Sequence, residues 1–276
     1  MCRFMTYLGP ELRLERVVSE PEHSLVVQSY QPQEMTSGVV NADGFGLGWY
    51  NPQLEPTPCV YTNICPIWGD HNLPGLGHHI AAGCIFANVR SATPGQTVAH
   101  TNCQPFAYQR LLFMHNGFIE DFRHSLMRPI RDALRDEYYT AIQGSTDSEH
   151  VFALLLQFLH GREYTQPNVL SAMGAVIEQL VRWAAPTRTG LVLNLALTNG
   201  EFVVASRFAS RSPAPSLYCA FDTAEFPRAG LLASERLFAS RAWRMVEEDR
   251  LIAFDARLQP ECVALRPREV VSRASA

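Results

Sequence analysis

Residues 1–9 read MCRFMTYLG, an aromatic-rich run with the composition of a β-strand, and the second residue is a cysteine. A residue as small as Cys2 behind the initiating Met1 permits removal of Met1 by methionine aminopeptidase. The processed chain would then begin at Cys2, with a free α-amine and a thiol on one residue. A lone thiol in a terminal strand is commonly a buried packing residue, so its role depends on the rest of the sequence.

The composition is typical of a large enzyme domain. The chain has 276 residues, of which 47% are hydrophobic, and it carries a net charge of -4. This size allows one extensive apolar core, and the slightly acidic balance argues against a nucleic-acid partner. All 23 basic residues are arginines, because the sequence contains no lysine. Schiff-base lysines and the lysine motif of phosphate-binding loops are therefore excluded.

Hydropathy and cysteine spacing indicate the cellular location of the protein. The sequence has no stretch of about 18 apolar residues, so no membrane-spanning helix or membrane partner is expected. Arg3 is not followed by an apolar stretch leading to a small-residue cleavage site, so a secretory signal is not expected. The seven cysteines are scattered without a C-x-x-C spacing, which is typical of reduced thiols. The sequence predicts a cytoplasmic protein with no metal and no other cofactor.

Strand signals dominate the first part of the chain. Aromatic and glycine-rich runs predict strands at residues 2–8, 45–50 and 83–90. An apolar run predicts a further strand at 111–117, ending in an Asn-Gly turn signal. Residues 51–82 are rich in Pro, Gly and His and are predicted to form a loop.

Helical signals follow. An apolar stripe predicts one helix over 126–138, a capping box at 146–149 begins another that stops at Gly161, and a third covers 168–185. Residues 191–208 then predict a hairpin with an Asn-Gly turn. Short strands are predicted at 216–221, 230–234, 251–254 and 262–265. This order favours two sheets flanked by helices, in one domain, over alternating βαβ units.

Four stretches behind Cys2 carry candidate chemistry. They are NADGFGLGWY (41–50), ANVRSATPG (87–95), MHNGFIED (114–121) and GSTDSEH (144–150). In this order they resemble the class II glutamine amidotransferase domain, an N-terminal-nucleophile hydrolase. The resemblance implies an α+β fold, a four-layer αββα sandwich of two antiparallel sheets flanked by helices. It also implies one domain over residues 2–276 after loss of Met1, with the motifs concentrated in 2–160.

The resemblance assigns the catalytic roles. Cys2 would attack the carbonyl of a γ-glutamyl amide and form a thioester, and its own α-amine, of pKa about 7.7–8.0, would be the general base. The Asn116 side-chain amide and the Gly117 N–H would form the oxyanion hole. The competing interpretation is a plain type I′ hairpin turn at Asn116-Gly117.

The same resemblance assigns the residues that bind the glutamyl group. Arg90 would pair with the α-carboxylate through two parallel hydrogen bonds, unless it is only a surface arginine at a strand end. Asp147 would hold the α-ammonium group, and its alternative role is a helix N-cap. Further residues resemble family segments that line or adjoin the pocket: Asp43, Gly44, Gly46, Asn102 and Gln104.

Departures from the larger family point to one branch. Most members begin with Cys-Gly, whereas this chain has Cys2-Arg3-Phe4, and its first glycine-rich loop reads NADGFG (41–46). With EHSLVVQSYQP (22–32), these variants resemble stand-alone hydrolases, including the γ-glutamyl hydrolase of ergothioneine biosynthesis and a glutathione-degrading relative. No sugar-phosphate or nucleotide motif follows residue 160. The implied reaction is therefore hydrolysis of γ-glutamyl-hercynylcysteine sulfoxide, with the small substrate as partner.

Other functions stay open on the sequence. One is an amidase subunit that acts on glutathione, or that supplies ammonia from glutamine to a separate synthase. Another is a non-catalytic binding protein of the same fold. A papain-like Cys–His enzyme is disfavoured, because no other cysteine has a suitable motif around it. The sequence also leaves a homo-oligomer open.

The predicted loop at 51–82 raises two questions. Asp70 and three nearby histidines invite a metal hypothesis, but their spacing fits no standard zinc pattern and indicates a solvated loop. The loop lies between two site motifs, and the hercynyl leaving group carries a quaternary ammonium that aromatic faces and carboxylates hold well. Trp49 and Tyr50 adjoin the glycine-rich loop. The sequence therefore predicts that one or more residues of a set contact the leaving group, namely Trp68, Tyr61, Asp70, Trp49 and Tyr50.

Overall fold

Strands and helices make up most of the part of the chain that the computed structural model describes, namely residues 2–35, 38, 40–92, 96–211 and 213–265. The strands are β1 (Arg3–Arg13), β2 (Phe45–Asn51), β3 (Glu55–Asn63), β4 (Ala81–Val89), β5 (Phe106–Tyr108), β6 (Leu111–Ile119), β7 (Leu191–Thr198), β8 (Phe202–Arg207), β9 (Tyr218–Phe221), β10 (Gly230–Ala233), β11 (Arg244–Met245), β12 (Arg250–Asp255) and β13 (Glu261–Ala264). The α-helices are α1 (Glu15–Val18), α2 (Leu25–Tyr30), α3 (Leu73–His79), α4 (Met127–Asp132), α5 (Asp136–Ala141), α6 (Asp147–Leu159) and α7 (Gln166–Ala184).

The strands form two sheets in which neighbouring strands are antiparallel. The first sheet has the order β11-β9-β10-β1-β4-β2-β3, and the second has the order β13-β12-β8-β7-β6-β5. β1 pairs with β10 through Met5↔Ala233, so the first strand and a strand from the last quarter of the chain share one sheet. β1 lies in the middle of its sheet, which fixes the position of Cys2 at its start.

Side-chain alternation along the strands produces the four layers. Phe4 and Leu8 of β1 pack against Leu112 and Met114 of β6 in a core between the two sheets. Met5 and Tyr7 face the opposite way, into a core with Val17, Leu25 and Leu73 of α1, α2 and α3. On the far side of the second sheet, α6 and α7 pack on its outer face, and Phe113 stacks on Phe152 at 5.0 Å. The predicted αββα sandwich is confirmed.

The predicted loop at 51–82 is wrong. This segment contains β3, a short 3-10 turn at Ile67–Gly69 and helix α3. β3 is an edge strand that pairs only with β2, and an edge tolerates proline because one side of the strand needs no N–H donors. Pro56 and Pro58 fit that position, and Pro74 lies in the first turn of α3. The Pro/Gly content therefore marked an edge and a helix start rather than a loop.

The predicted helix over 126–138 is also corrected. The stripe is divided between α4 and α5, which are separated by residues 133–135. The Arg135 N–H donates to the Gln157 side-chain oxygen at 2.9 Å instead of continuing the helix. Both short helices pack on α6 and bury Ile130 and Tyr138. Apolar periodicity thus identified the buried face but missed the break.

The Asn116-Gly117 pair is not a hairpin turn. Both residues lie inside β6, with Asn116 opposite Asn194 and Gly117 opposite Leu193 of β7. The turn predicted from this dipeptide, and the hairpin alternative to the oxyanion hole, are therefore wrong.

Most remaining elements match the sequence analysis. Helices α6 and α7, the β7–β8 hairpin and the short strands β9, β10, β12 and β13 lie where they are predicted. Gly200, in the hairpin turn, has φ +95°, a conformation that favours glycine. No helix within the described residues is long and apolar enough to cross a membrane.

Candidate functional site

Cys2 lies at the start of β1, opposite Arg90. Arg3 pairs with Val89 and Phe4 with Asn88, and continuing this register by one residue puts Cys2 across from Arg90. Alternation places the Cys2 side chain on the same side as Phe4, which faces the second sheet. The thiol is half-buried and points its Sγ at the Ser91 carbonyl, 3.8 Å away.

Two residues after β10 hold the first residues of the chain. The Ser234 N–H donates to the Phe4 carbonyl at 2.9 Å, and the Ser234 hydroxyl accepts from the Phe4 N–H at 3.0 Å. Arg3 donates through Nε to Glu235 at 2.6 Å and through a terminal nitrogen to the Cys2 carbonyl at 2.9 Å. The Ser234-Glu235 pair therefore fixes the backbone that carries the thiol.

Glu235 is a fully paired buried carboxylate. Besides Arg3 it accepts from His23 at 2.7 Å and from the N–H groups of Gln33 and Glu34 at 2.8 and 3.1 Å. Burial alone would raise the pKa of Glu235, but the hydrogen bonds from His23 and Gln33, with the Arg3 charge, lower it to about 2. The sequence analysis missed Ser234 and Glu235, because no local pattern marks two residues that act on a strand 230 positions earlier.

Ser234 also connects Asn116 to the N-terminal strand. The Asn116 side-chain nitrogen donates to the Ser234 hydroxyl at 3.2 Å, and this hydroxyl accepts from Phe4 as described above. Asn116 is fully buried on the face between the sheets. The structure therefore brings Asn116 and Cys2 to the same end of the layer between the sheets.

The Gly117 N–H lies on an edge of β6 that β5 leaves uncovered. On this edge the Gln104 side chain makes two hydrogen bonds to the backbone of His115. Its oxygen accepts from the His115 N–H at 2.6 Å, and its nitrogen donates to the His115 carbonyl at 3.1 Å. The Ile119 N–H on the same edge donates to Asp147 at 2.7 Å. Because N–H directions alternate along an antiparallel strand, the Gly117 N–H points the same way, between the Gln104 and Asp147 contacts.

His115 helps to explain why position 117 is glycine. Its Nε2–H donates to the Val192 carbonyl at 2.8 Å, and its Nδ1 accepts from the Ser148 hydroxyl at 2.9 Å. A Cβ on Gly117 would collide with the Val192 carbonyl and with this imidazole. Burial lowers the pKa of His115, which keeps the ring neutral in this bridging role.

Arg90 is buried, so its surface alternative is wrong. It is 3% exposed and donates at 3.3 Å to three neutral acceptors, the Asp43 carbonyl, the Gln96 side chain and the Thr97 carbonyl. The Asp43 carboxylate accepts from the Ala92 N–H at 2.8 Å. It therefore connects the 41–46 loop to the segment after β4, while Arg90 contacts the Asp43 backbone carbonyl and not this carboxylate.

The glycines of the 41–46 loop permit close backbone approach. A Cβ on Gly44, which has φ +114°, would come within 2.7 Å of the Cys103 sulfur. A Cβ on Gly46 would collide with the Gln104 carbonyl. These two positions therefore let the segment that carries Asn102 and Gln104 lie directly against β2.

Asn102 connects the Arg90 region to the start of α6. Its side-chain nitrogen donates to the Thr97 carbonyl at 2.8 Å, which Arg90 also contacts, and its oxygen accepts from the Ser145 N–H at 2.9 Å. The N-cap of α6 is Thr146, whose hydroxyl accepts from the Glu149 N–H at 3.2 Å. The N-cap alternative for Asp147 is therefore wrong.

Asp147 borders a pocket of about 430 Å³. Its carboxylate is 4% exposed and accepts from the N–H groups of Ile119 and Ser148, at 2.7 and 2.8 Å. Gln96, a partner of Arg90, and Ser145 line the same pocket. Asp147 therefore lines this pocket directly, whereas Arg90 is linked to it through its hydrogen bond to Gln96.

The candidate leaving-group residues of the 51–82 segment differ from one another in exposure and in hydrogen bonding. Asp70 is buried and accepts from Tyr61, Asn63 and the N–H groups of Asn72 and Leu73 at 2.7–3.0 Å, so it holds the 3-10 turn and α3 together. Trp68 is 45% exposed, and its ring meets Tyr30 edge-to-face at 5.8 Å. Trp68 is thus accessible, whereas Asp70 and Tyr61 are engaged within the fold.

Two parts of the predicted site lie outside the described residues. They are Met1, whose removal stays a prediction, and residues 93–95 of the second motif. No group of three or more potential metal ligands occurs within the described residues.

Comparison with known proteins identifies the family. A family model described as glutamine amidotransferases class-II matches residues 19–235. The chain belongs to this family. The matched region contains Arg90, Asn116, Gly117 and Asp147, the residues that the structure gathers near the start of β1 and the edge of β6.

Curated relatives differ in their named activities. The chain is 34% identical to the "Probable glutamine amidotransferase DUG3" of Saccharomyces cerevisiae, over 75% of this chain and 64% of that protein. It is 30% identical to the "Gamma-glutamyl-hercynylcysteine sulfoxide hydrolase" of Mycolicibacterium smegmatis, over 75% of this chain and 78% of that protein. The Mycobacterium tuberculosis hydrolase of the same name is 33% identical over 44% of this chain and half of its own length.

Solved structures share the fold. A glutamine aminotransferase class-II domain protein from Silicibacter pomeroyi superposes with a TM-score of 0.69 and 25% identity, over 96% of this chain and all of that one. A glutamine phosphoribosylpyrophosphate amidotransferase from B. subtilis gives a TM-score of 0.63 at 12% identity, over 97% of this chain and half of that one. The second likeness shows the fold alone. The predicted N-terminal-nucleophile hydrolase architecture is confirmed.

Proposed function

We propose that the protein hydrolyses γ-glutamyl amides, with Cys2 as the nucleophile and a γ-glutamyl thioester as the intermediate. The observation that carries the proposal is two buried opposite charges: Arg90, across from Cys2 in the sheet register, and Asp147, on the uncovered edge of β6. Arg90 and Asp147 are each at least 96% buried, and neither has an ion-pair partner within the described part of the chain.

Unpaired buried charges destabilise a fold, so their presence favours a ligand that supplies both counter-charges. The α-carboxylate and α-ammonium of a glutamyl group do so, with Arg90 taking the carboxylate and Asp147 the ammonium. Two N–H donors already fix the Asp147 carboxylate, so it can receive the ammonium without reorganising. The side-chain amide of the substrate would then extend toward Cys2.

In the first chemical step, the Cys2 sulfur attacks the substrate carbonyl carbon and its proton moves to the α-amine of the processed chain. The amine then returns the proton to the leaving nitrogen as the C–N bond breaks. Negative charge on the carbonyl oxygen would be stabilised by the Asn116 side-chain nitrogen and the Gly117 N–H. Each such donor contributes about 2.7–4 kcal/mol of barrier lowering in acyl-transfer enzymes.

For the leaving group, we favour the hercynylcysteine sulfoxide conjugate, supported by the Mycolicibacterium smegmatis relative. The second candidate is an amidase acting on glutamine or glutathione, and the yeast glutamine amidotransferase relative supports it. Because the chain spans only 64% of that yeast protein, any partner of such an amidase is also a proposal.

A substrate panel tests the proposal. Purified protein, shown by intact mass to lack Met1, is assayed for glutamate release from γ-glutamyl-hercynylcysteine sulfoxide, glutathione and glutamine. Preference for the hercynyl conjugate supports the first candidate, and preference for either other substrate supports the second. No release from any of them by the processed protein would favour a non-catalytic binding role.

Replacing Arg90 by Lys, or Asp147 by Asn, is expected to raise KM with a smaller effect on kcat. Lys keeps the charge but loses the planar fork, and Asn removes the attraction to the ammonium. We expect kcat/KM to fall roughly 30-fold, about 2 kcal/mol, in each variant. Steady-state kinetics on the best substrate measures this, with Arg128→Lys and Asp132→Asn on the exposed face of α4 as matched controls. Unchanged KM in both site variants would show that these residues do not hold the glutamyl group.

Replacing Trp68 by Ala is expected to weaken hydrolysis of the hercynyl conjugate while sparing glutamine. Loss of an aromatic face over a quaternary ammonium reduces binding by about 0.5–2 kcal/mol, or roughly 2- to 30-fold in kcat/KM. Trp68→Phe, which keeps an aromatic face, is the matched control. Asp70 is unsuitable for this test, because its hydrogen bonds hold α3 in place. If kcat/KM falls equally for the hercynyl conjugate and for glutamine, Trp68 stabilises the fold and does not contact the leaving group.

A further inference from the structure

The layer between the sheets contains polar atoms that the protein does not pair. Both side-chain atoms of Asn88, the Thr6 hydroxyl and the Asn116 side-chain oxygen are buried and have no hydrogen-bond partner within the described residues. All three residues are fully buried.

Strand register puts these atoms beside Cys2. Asn88 lies directly opposite Phe4 on one side and Gly46 on the other. Cys84 and Phe86 of the same strand face the core between the sheets, so alternation directs Asn88 into it as well. Thr6 and Cys2 flank Phe4 on that face of β1. The unpaired carboxamide is therefore one diagonal neighbour away from the thiol.

Asn116 approaches the same place from the second sheet. Its side-chain nitrogen is held by the Ser234 hydroxyl, which also accepts from the Phe4 N–H. The Asn116 oxygen stays a buried acceptor without a partner among the described residues. The set thus offers the amide donor of Asn88, the Thr6 hydroxyl, which can donate or accept, and the amide oxygens of Asn88 and Asn116, all in the layer between the two sheets.

Burying a carboxamide without a partner is unfavourable, and an apolar residue at position 88 would avoid this cost. Buried polar groups that lack a protein partner are ordinarily satisfied by internal water, which donates and accepts together. A mixed set of donor and acceptors suits such a small neutral molecule better than an ion. A water held by Asn88 would lie one diagonal position from Cys2, where the thioester forms.

We propose that Asn88 binds a water molecule beside Cys2, and that this water is the nucleophile that hydrolyses the thioester. This inference rests on the proposed function. The water oxygen attacks the thioester carbonyl carbon while one water proton moves to the Cys2 α-amine. The C–S bond then breaks, the amine returns the proton to the sulfur, and glutamate leaves. Asn88 orients the water through its amide, with Thr6 and Asn116 as further contacts.

Replacing Asn88 by Leu separates this role from a structural one. We expect kcat to fall about tenfold or more through loss of positioning, with γ-glutamyl enzyme accumulating as a mass adduct during turnover. The first release of the amine product should persist as a burst. The melting temperature should stay the same or rise, because an apolar side chain fits the core. Asn88→Val, a smaller strand-forming variant, repeats the test if the leucine does not fit.

Asn194→Leu is the matched control on the second sheet. Asn194 is equally buried, but it is fully paired, to Pro215, Ser216 and Phe208. Its replacement should lower the melting temperature without accumulation of the thioester. If Asn88 variants keep the full kcat and form no adduct, the hydrolytic role is overturned.

A crystal structure of the unsubstituted protein tests the water site independently of activity. We expect an ordered water within hydrogen-bond distance of the Asn88 amide, absent in Asn88→Leu. An Asn88 amide that bonds only to protein atoms would overturn the inference. If the protein hydrolyses none of the panel substrates but the water is present, the proposed function fails while the binding site stands.

Discussion

Replacing Cys2 by Ala is expected to abolish glutamate release from every γ-glutamyl amide that the protein accepts. Without the sulfur no thioester forms, and loss of a covalent nucleophile lowers kcat by about 10⁴-fold or more in comparable hydrolases. The fold should persist, because among the described residues the thiol has a single weak hydrogen bond, at 3.8 Å to the Ser91 carbonyl, and Arg3 binds the Cys2 carbonyl rather than its side chain. Glutamate release and thermal melting of the processed variant measure the two effects.

Cys103→Ala is the control for a nearby thiol without a catalytic role. Its sulfur contacts the carbonyls of Asn63 and Ala99, and burial raises the pKa of Cys103 to about 11. This thiol is therefore protonated near neutral pH and a poor nucleophile. Cys103→Ala should keep most of the activity. Full activity in Cys2→Ala, or loss of activity only in Cys103→Ala, would contradict Cys2 as the nucleophile.

The fold could be predicted from sequence where local patterns and tertiary context agree. Two Asn-Gly pairs show the limit. At Asn199-Gly200 the glycine adopts φ +95° and the chain turns, as predicted. At Asn116-Gly117 the same dipeptide continues a strand, because β7 pairs with it and the Val192 carbonyl lies where a side chain would otherwise stand. The dipeptide does not contain that information. The position of β3 at the edge of its sheet likewise depends on strand pairing, which the Pro/Gly-rich sequence of residues 51–82 does not contain.

The candidate site was predictable only where residues cluster in ordered motifs. The motifs predict Arg90 and Asp147 as binding residues; in the structure Asp147 lines the pocket and Arg90 donates to Gln96, which also lines it. Ser234 and Glu235 carry no such signal, since their contacts with the first strand arise from sheet pairing across most of the chain. Arg3 stands where most of the family has glycine, and the structure pairs it with the buried carboxylate of Glu235, which the sequence around Arg3 does not indicate.

Glu235→Ala is expected to destabilise the fold by about 3–5 kcal/mol, the usual loss when one member of a buried ion pair is removed. Arg3 and Glu235 are each 1% exposed and 2.6 Å apart, so the remaining guanidinium would stay in the core without its carboxylate. Because Arg3 also holds the Cys2 carbonyl, kcat should fall together with stability. Chemical denaturation and steady-state kinetics measure these changes.

The pH dependence of stability separates the charge of Glu235 from its shape. The pKa of Glu235 is lowered from 4.5 to about 2 in the folded protein, so its contribution is complete above pH 4.5 and disappears as the pH falls through about 2. In Glu235→Gln the shape is kept and this titration is absent. The difference in melting temperature between the original protein and this variant should therefore be largest near neutral pH and shrink toward pH 2.

Glu247→Ala provides the surface comparison for this last prediction. Glu247 pairs with Arg250 at 3.0 Å, but its side chain is 75% exposed, and such pairs contribute at most about 1 kcal/mol. We expect its melting temperature to match that of the original protein across the same pH range. If Glu235→Gln also matches the original protein at neutral pH, the Arg3–Glu235 pair does not stabilise the start of β1. A large loss in Glu235→Gln that is independent of pH would assign the effect to packing rather than to charge.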